Sequence, residues 1–171
     1  MECLVFARKM SSIILNDPPK FLKCDNSFQE LDIEDSKEDQ ISIIAEKIDN
    51  LRKLCWSNLG VSRNEANMSK FLDTIQDEMT KLNKNDFLKS LETLRFDQRI
   101  KLSEPNRRVL NLLLDLKNRQ ITTMTLLKAC LFREESRGGH YRDDFPDKYK
   151  NWECHTRQQL DQKIQKRFIK N

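Results

Sequence analysis

The spacing of apolar residues along the chain predicts three long amphipathic helices. In the first, apolar side chains recur every three or four positions, which is the period of a helix with one buried face. These positions are Ile41, Ile44, Ala45, Ile48, Leu51, Leu54, Cys55 and Leu59. Ser36 is the expected N-cap, with Asp39 three residues later as its capping-box partner. Gly60 is the expected end of this helix.

The second helix has one apolar stripe, made of Met68, Phe71, Leu72, Ile75, Met79 and Leu82. Methionine and aromatic residues at helical spacing are more typical of a packed core than of a cofactor site. A shorter apolar segment follows over residues 86–97. It is either a separate helix or a continuation of the second helix after a break at residues 83–85.

The last long helix is expected to begin near Ser103, with Pro105 in its first turn, where proline is tolerated. Its apolar positions are Val109, Leu110, Leu113, Leu114, Ile121, Met124, Leu127, Cys130 and Leu131. The pattern predicts that this helix reaches Glu135 or Ser136. Gly138–Gly139 is the expected stop signal.

The segments outside these helices carry weaker signals. Residues 2–15 predict a short, nearly apolar helix, which needs a larger body to bury it. Residues 16–36 form an acidic linker. Residues 157–171 predict a frayed amphipathic helix that uses Leu160, Ile164, Phe168 and Ile169. No strand is expected, apart from short extended pieces after residue 139.

Each long helix has one apolar face to bury, so the three helices are expected to pack as an antiparallel bundle. The predicted fold class is therefore all-α, a three-helix antiparallel bundle with an extended C-terminal tail. The predicted division is a terminal helix over 1–15, an acidic linker over 16–36, the bundle over 37–137, and an extended segment with a basic tail over 138–171.

Composition narrows the range of functions. The chain has 3 glycines, where average usage would give about twelve, and no G-x-G-x-x-G can be written from them. A glycine-built phosphate cradle within these residues is therefore excluded. The net charge of +4 is too small to indicate a nucleic-acid partner, and no apolar run is long enough for a membrane span. Five scattered cysteines favour a reducing compartment, and we expect a cytoplasmic location.

Two further candidate chemistries lack support. Cys130, His140, Cys154 and His155 have the residue types of a zinc site but not its spacing. A nucleophilic pair of Cys154 with either histidine can be written, but nothing else in the chain supports it. The basic tail from Lys148 to Asn171 has no aromatic ladder, so a solvated surface is favoured over a nucleic-acid site. We expect neither a metal nor a catalytic residue within this chain.

The segment over residues 133–146 differs from the rest in kind. It reads Arg133-Glu134-Glu135-Ser136-Arg137-Gly138-Gly139-His140-Tyr141-Arg142-Asp143-Asp144-Phe145-Pro146. Arginine and histidine beside a helix end can satisfy its last carbonyl groups. Planar guanidinium groups can also pair with carboxylates across an interface. The segment is therefore either a helix cap or part of an interface.

This segment resembles the R-x-E-S-R-G-x-H-x-R-x-D-[FY]-P signature of the succinate dehydrogenase/fumarate reductase flavoprotein family. Asn151-Trp152-Glu153-Cys154-His155-Thr156 is similar to the N-W-x-x-H-T that follows it in that family. Glu2-Cys3-Leu4-Val5-Phe6 resembles the E-C-L-V-[FY] of the L-aspartate oxidase branch, where succinate dehydrogenases usually have D-L-[VI]-V-F. Gly60-Val61-Ser62-Arg63 resembles the G-[IV]-x-R of the same branch.

The resemblance implies an FAD enzyme that oxidises L-aspartate to iminoaspartate, with oxygen or fumarate as acceptor, in quinolinate and NAD biosynthesis. It also implies that the chain is a C-terminal portion, with residues 1–15 as the last helix of an FAD-binding domain. Glu2 and Cys3 would lie next to flavin contacts that precede them and are missing. We expect this chain alone to bind no FAD and to be inactive.

The resemblance further assigns the signature to a domain interface. The residues expected there are Arg133, Glu134, Ser136, Arg137, Gly138, His140, Tyr141, Arg142 and Asp144. The expected partners are the FAD-binding and capping domains of the same protein, with L-aspartate as the substrate of the intact enzyme and no nucleic acid or membrane. The alternatives are the C-terminal domain of a succinate dehydrogenase or fumarate reductase flavoprotein, and an independent helical interaction module.

Overall fold

The structure is a computed structural model that describes residues 11, 28–29, 34–92, 99–159 and 162–168. The chain divides into two compact units, one of Met1–Leu31 with Leu94–Lys101, the other of Asp32–Thr93 with Leu102–Asn171. The helix predicted over residues 2–15 lies outside the described residues, apart from Ser11, which is helical. Most of the predicted acidic linker lies outside them as well.

The first unit contains a short pair of strands. Strand β1 (Phe28–Gln29) pairs in parallel with β2 (Arg99–Ile100), and Phe28 lies opposite Arg99. The expectation that no strand precedes residue 139 is therefore wrong. A two-residue strand is too short for alternating polarity to show in the sequence, so only the pairing across the chain reveals it.

The second unit is mostly helical. Its helices are α1 (Glu38–Leu59), α2 (Glu65–Asn83), α3 (Asp86–Glu92) and α4 (Glu104–Phe132). The buried apolar core comes from these four helices: Ile41, Ile44, Leu51, Met68, Phe71, Ile75, Leu82, Leu88, Val109, Leu113, Leu116 and Leu127. Most positions of the three predicted apolar stripes lie in or against this core, whereas Ala45, Leu54, Leu114 and Ile121 are exposed. None of the helices in the described residues is long and apolar enough to cross a membrane.

Helix α1 ends as expected but begins differently. Its C-cap is Gly60, whereas its N-cap is Lys37, which makes no side-chain hydrogen bond. The N–H and hydroxyl of Ser36 instead donate to Asn106 Oδ1, at 2.9 and 2.6 Å. Because Asn106 is buried, its amide oxygen needs a partner from within the protein. The predicted capping box of Ser36 and Asp39 is therefore wrong.

Helix α3 is separate from α2, which settles the choice left open for this segment. Helix α2 ends before a turn at Lys84, and Asn85 Oδ1 accepts the Leu88 N–H at 3.1 Å. Asparagine thus begins a new helix, as it also does at Asn64 before α2. Residues 93–97 of the predicted segment lie outside the described residues.

Helix α4 begins as predicted and ends earlier than predicted. Ser103 is its N-cap, and the Ser103 side chain accepts the Asn106 N–H. The helix ends at Phe132, because Arg133 has the extended backbone angles φ −88° and ψ 103°. The expectation that α4 reaches Glu135 or Ser136 is therefore wrong. The glycine pair lies several residues beyond the true end.

The three long helices pack on one another in pairs. At the start of α4, Asn106 contacts Ser36, and near its end Thr123 Oγ1 lies 3.4 Å from Cys55 Sγ. Matching contacts at both ends show that α1 and α4 run in the same direction. The short turn between α1 and α2 reverses the direction of the chain, so α2 runs antiparallel to α1 and α4. Lys47 of α1 reaches Glu78 of α2 at 3.8 Å.

The C-terminal part of the unit is extended. A short 3₁₀ helix (Lys150–Trp152) leads into β3 (Cys154–Arg157), which pairs antiparallel with β4 (Gln165–Phe168). The frayed helix predicted over residues 157–171 is therefore wrong for the described residues 162–168. Pairing with β3 and the stacking of Lys166 Nζ on the Trp152 ring, 3.3 Å from its centroid, favour a strand there. Leu160 and Ile169 lie outside the described residues.

Candidate functional site

Beyond the end of α4 the signature segment folds back on itself and forms a closed ion-pair cluster. We call this cluster the arginine clasp. Its members are Arg63, Arg133, Glu135, Arg137, His140, Arg142 and Asp144. It joins the end of α4 to the turn between α1 and α2 and to the start of β3.

Glu135 is the centre of the clasp, and its side chain is fully buried. Its carboxylate accepts from Arg133 Nη1, from Arg137 Nε at 2.9 Å and Nη2 at 3.2 Å, and from the Tyr149 N–H at 3.0 Å. Burial on its own raises the pKa of Glu135, but the hydrogen bonds from Arg137, Tyr149 and Arg133 outweigh it and lower this pKa to about 2. Glu135 is therefore an ionised, internally paired carboxylate.

The local backbone explains why Glu135, rather than its neighbour, is buried. Arg133 has extended backbone angles, so the chain leaves the helical path before Glu135. Arg133 and Arg137 both pair with the buried Glu135 carboxylate, whereas Glu134 is exposed. Arg133 also donates to the backbone oxygens of Trp152 and Cys154, at 3.1 and 2.5 Å.

Arg142 closes the end of α4. Its side chain is 1% exposed. Nη1 donates to the carbonyl oxygens of Cys130 and Leu131 at 3.0 and 3.2 Å, two groups that have no partner within the helix. Nε and Nη2 form a bidentate ion pair with the Asp144 carboxylate, at 2.7 and 2.6 Å. The sequence predicts that this segment satisfies the last carbonyl groups of the helix. This prediction is confirmed, and the donor is Arg142, which lies well beyond the helix end.

Asp144 links this end of α4 to α2. Its Oδ2 accepts the N–H of Glu65, the first residue of α2, at 2.8 Å. A carboxylate is favourable there because the N-terminal end of a helix carries partial positive charge. The hydrogen bonds from Arg142 are the largest influence, and they lower the pKa of Asp144 to about 2 against the opposing effect of burial.

His140 is held as a neutral ring between two partners. Arg63 Nη1 lies 3.0 Å from His140 Nδ1, and a guanidinium can only donate, so Nδ1 accepts. Nε2 then carries the proton and donates to the Arg133 carbonyl oxygen at 3.3 Å. Burial lowers the pKa of His140, although the bond to Arg133 opposes this, and the nearby charges of Arg63 and Arg142 lower it further.

Gly138 makes the tight turn that closes the clasp. Its φ is +59°, a conformation that glycine adopts without steric cost. Around it, the Arg137 N–H donates to the His140 oxygen at 2.7 Å and the His140 N–H donates back at 3.0 Å. The glycine pair thus belongs to this turn, and its predicted role as the C-cap of α4 is wrong.

Replacing Gly138 by alanine is expected to lower the free energy of unfolding by about 1–2 kcal/mol, because a Cβ disfavours positive φ. Gly139→Ala is the matched control, because Gly138 is the glycine of the pair with a positive φ. At either glycine, an added Cβ would have no heavy atom within 4 Å apart from its immediate chain neighbours. Urea denaturation measures both variants. Equal losses in the two variants would contradict this role for Gly138.

The nine residues predicted for the site fall into two groups. Six are members of the clasp or hydrogen-bond to a member of it: Arg133, Ser136, Arg137, His140, Arg142 and Asp144. Ser136 supports it by donating to the Phe145 oxygen at 2.8 Å and accepting the Arg142 N–H at 2.9 Å. The other three, Glu134, Gly138 and Tyr141, are exposed. Whether any of the nine contacts another domain stays a prediction.

The predicted site residues leave out two members of the clasp, Glu135 and Arg63, and one residue that packs against it, Trp152. Glu135 was detectable from the alternation Arg133, Glu135, Arg137, which fits an extended segment but not the helix that was assumed. Arg63 was part of a matched motif but had no assigned role. Trp152 is buried, and Arg133 lies over its ring at 5.4 Å.

The structure does not assemble the two other candidate chemistries. Within the residues that the structure describes, no three His, Cys, Asp or Glu side chains are placed to hold a metal ion. Burial raises the pKa of the Cys130 thiol, which makes it less reactive. Cys154 is buried and His155 is exposed, because neighbouring residues in a strand face opposite sides.

Comparison with known proteins shows the family to which this chain belongs. Residues 48–170 match the family described as fumarate reductase flavoprotein C-term. The match covers most of the chain, and the chain belongs to this family of flavoprotein C-terminal regions.

Individual relatives make the comparison more specific. An L-aspartate oxidase of Synechocystis is 29% identical over 158 residues, which is 91% of this chain and 28% of that protein. A fumarate reductase (CoM/CoB) subunit of Methanothermobacter marburgensis is 32% identical over 73% of this chain and 20% of its own length. An uncharacterized FAD-dependent oxidoreductase of Methanocaldococcus jannaschii is 29% identical over 61% of this chain and 16% of its own.

The chain thus spans less than a third of the length of these relatives. No solved structure matches it.

Proposed function

We propose that this chain is the C-terminal helical domain of an L-aspartate oxidase. The whole enzyme would use FAD to oxidise L-aspartate to iminoaspartate, with oxygen or fumarate as electron acceptor, and its product would feed quinolinate and NAD biosynthesis. The observation that carries the proposal is the arginine clasp, in which a family signature forms a buried and closed network. The similarity to the Synechocystis oxidase across 91% of the chain favours this branch.

The proposed role of the domain is structural rather than chemical. Arg133, Arg137 and Arg142 donate to carboxylates and carbonyls of this chain, so they are engaged before any phosphate arrives. The Gly138 turn closes on itself and does not open onto a helix N-terminus, where phosphates bind. We therefore expect no FAD site among the described residues. In this proposal FAD and L-aspartate bind elsewhere in the whole protein, in its FAD-binding and capping domains.

In the whole enzyme, the three long helices would act as one bundle, and the clasp would fix its end. The signature residues that remain exposed, such as Tyr141, would then be free to meet the FAD-binding domain. Neither nucleic acid nor a membrane is a proposed partner, and the proposed location is the cytoplasm.

A chimera tests the proposal. The region of the Synechocystis oxidase that this chain matches would be replaced by this chain. We expect the purified chimera to retain visible flavin absorbance through gel filtration and to oxidise L-aspartate. The control is the same oxidase with that region deleted, which should lose flavin. A chimera that behaves like the deletion would contradict the proposal.

The fumarate reductase branch is the second candidate, because the fumarate reductase subunit of Methanothermobacter is 32% identical to the chain. A parallel chimera with that protein distinguishes the two branches. Retention of flavin by the fumarate reductase chimera alone would assign the chain to the second branch. Flavin loss in both chimeras would favour an independent helical module.

A further inference from the structure

His140 bridges two parts of the chain that are far apart in sequence. On one side, its Nδ1 accepts a hydrogen bond at 3.0 Å from Nη1 of Arg63, which lies in the turn between α1 and α2. On the other side, its Nε2 donates at 3.3 Å to the carbonyl oxygen of Arg133, the residue that follows α4. One half-buried imidazole ring therefore ties the turn to the end of the last helix.

The backbone on both sides holds this contact in place. His140 and Arg137 exchange two backbone hydrogen bonds across the tight turn of the clasp. On the opposite side, Arg63 forms a parallel bridge with Arg142, and the Arg63 carbonyl oxygen accepts the Asp143 N–H at 2.8 Å. The backbone thus keeps the imidazole ring and the Arg63 guanidinium close to each other.

The contact between His140 and Arg63 needs a neutral ring. A guanidinium group has donors and no acceptor, so Nδ1 must offer its lone pair. A protonated imidazole carries N–H groups on both nitrogens and has no lone pair to offer. Protonation would therefore replace a hydrogen bond by two donors that face each other, each on a positively charged group.

The charges nearest to His140 are positive. Arg63 faces it from the turn between α1 and α2, Arg133 from the chain after α4, and Arg142 from the segment beyond the clasp turn. Burial is the largest influence that lowers the pKa of His140, and these three charges lower it further. The Cys130 thiol of α4 lies 3.8 Å from Arg63 Nη1 and brings no negative charge, because burial raises its pKa.

The carboxylates of this region are occupied by other partners. Glu135 is shared by two arginines, and Asp144 forms the bidentate pair at the end of α4. Asp143 accepts the hydroxyl hydrogen of Ser62. Among the residues that the structure describes, no carboxylate lies within 4.0 Å of a ring nitrogen of His140. A protonated ring would therefore have no counter-ion.

We propose that His140 makes the clasp sensitive to pH: the neutral ring ties the turn between α1 and α2 to the end of α4, and protonation of the ring releases this tie. The inference goes beyond the proposed function and does not depend on it. The main carboxylates of the clasp do not share this response, since the pKa values of Glu135 and Asp144 are about 2. The clasp thus loses one join in a pH range where its ion pairs persist.

The direction of the pH effect follows from the two states of the ring. The closed contact holds His140 with a pKa below the ordinary value of 6.5, whereas a freed ring takes up a proton near that value. The contribution of the neutral ring is therefore complete above about pH 6.5 and is lost as the pH falls through the lowered pKa. One pH unit below the ordinary value, protonation favours the open state by up to about tenfold.

The test uses the 171-residue chain and two matched variants, because the chain has 2 histidines. His140→Asn keeps an acceptor close to the position of Nδ1, and asparagine does not titrate. His155→Asn is the control, since His155 is exposed on β3. Each protein is compared with itself at about pH 7.5 and about pH 5.5, a range in which histidine is the side chain that ordinarily titrates.

Hydrogen exchange of the Asp143 and Glu65 N–H groups measures the opening, because they donate to the Arg63 carbonyl oxygen and to Asp144. Their protection is corrected for the intrinsic effect of pH on exchange. We expect it to fall about five- to tenfold between the two pH values in the wild type and His155→Asn, and less than about twofold in His140→Asn. The thermal midpoint of the wild type should fall by about 2–4 °C more than that of His140→Asn.

NMR of the histidine rings keeps the test decisive if His140→Asn fails to fold. In the wild type, His140 should carry its proton on Nε2 at about pH 7.5 and should titrate below the ordinary value of 6.5. A ring that is protonated on Nδ1 at neutral pH, or one that titrates at or above 6.5, would overturn the inference.

Two results from the variants would overturn it as well. An equal loss of protection in the wild type and His140→Asn would show that the ring does not open the contact. A loss that disappears in His155→Asn instead would assign the pH response to the pair of strands β3 and β4. Protection that falls in the wild type and the control but not in His140→Asn supports the inference.

Discussion

Replacing Glu135 by alanine is expected to lower the free energy of unfolding by about 3–5 kcal/mol, the usual cost of removing one partner from a buried ion pair. The loss is large because two guanidinium groups, those of Arg133 and Arg137, lose a shared counter-ion. The Tyr149 N–H also loses its acceptor. Such a loss is a large fraction of the stability of a domain of this size.

Glu134→Ala is the matched control, since it removes the same side chain one position away on the exposed face. It should change the stability by no more than about 0.5 kcal/mol. Urea denaturation followed by circular dichroism measures both. Glu135→Gln keeps the size of the side chain and one acceptor, so it provides a measurable variant if the alanine variant fails to fold. Similar stabilities for Glu134→Ala and Glu135→Gln would contradict a central role for Glu135.

The same carboxylate gives the stability a characteristic dependence on pH. The pKa of Glu135 is about 2 in the folded chain, against an ordinary value of 4.5. A lowered pKa in the folded state means that the ionised form stabilises the fold above pH 4.5, and that this contribution is lost as the pH falls toward 2. The difference in stability between the wild type and Glu135→Gln should therefore be constant above pH 4.5 and shrink below it.

Arg142→Met is the second substitution with a large expected effect, about 3–5 kcal/mol of lost unfolding free energy. Methionine fills much of the volume but leaves Asp144 without its cation and the last carbonyl groups of α4 without a donor. Arg142→Lys should recover only part of the loss, because an ammonium group cannot bind Asp144 with two parallel bonds and also reach two carbonyls.

The control for this variant is Arg119→Met on the surface of the same helix. Arg119 also binds a carboxylate, that of Asp115 at 2.9 Å, but its side chain is 50% exposed. An exposed pair of this kind contributes about 0–1 kcal/mol. Thermal and urea unfolding of the three variants would show whether burial, rather than the presence of an ion pair, sets the cost. Equal losses for Arg142→Met and Arg119→Met would contradict the assignment.

The sequence predicted those features that depend on neighbouring residues. The apolar stripes of α1, α2 and α4 follow from helical period, and Ser103 caps a helix through Asn106, only three residues away. Ser36 looked like an equally good cap, but its hydroxyl is used by Asn106, 70 residues later. A local signal cannot show that a distant partner competes for the same group.

The site was predicted in its location but not in its internal geometry. The signature placed arginine, histidine and acidic residues together near the end of α4, and they are together. The predicted interface residues included Glu134, which is exposed, and left out Glu135, which is buried at the centre of the clasp. Arg142 lies beyond α4 and donates to the Cys130 and Leu131 carbonyl oxygens at the end of this helix. The spacing of residues in the sequence does not show that these groups are partners.

The contact between Asp144 and Glu65 has a consequence for the order in which the chain folds. The two residues are 79 positions apart, and Arg63 and His140 are 77 apart. During synthesis, α1 and α2 leave the ribosomal exit tunnel long before residue 144 does. Until then, the Glu65 N–H in the first turn of α2 lacks its acceptor, Asp144. Contacts of such long range form late because their loops are costly to close. We therefore expect the clasp to form late in folding, and a chain shortened before residue 140 to lose the contacts that hold the ends of α2 and α4 together.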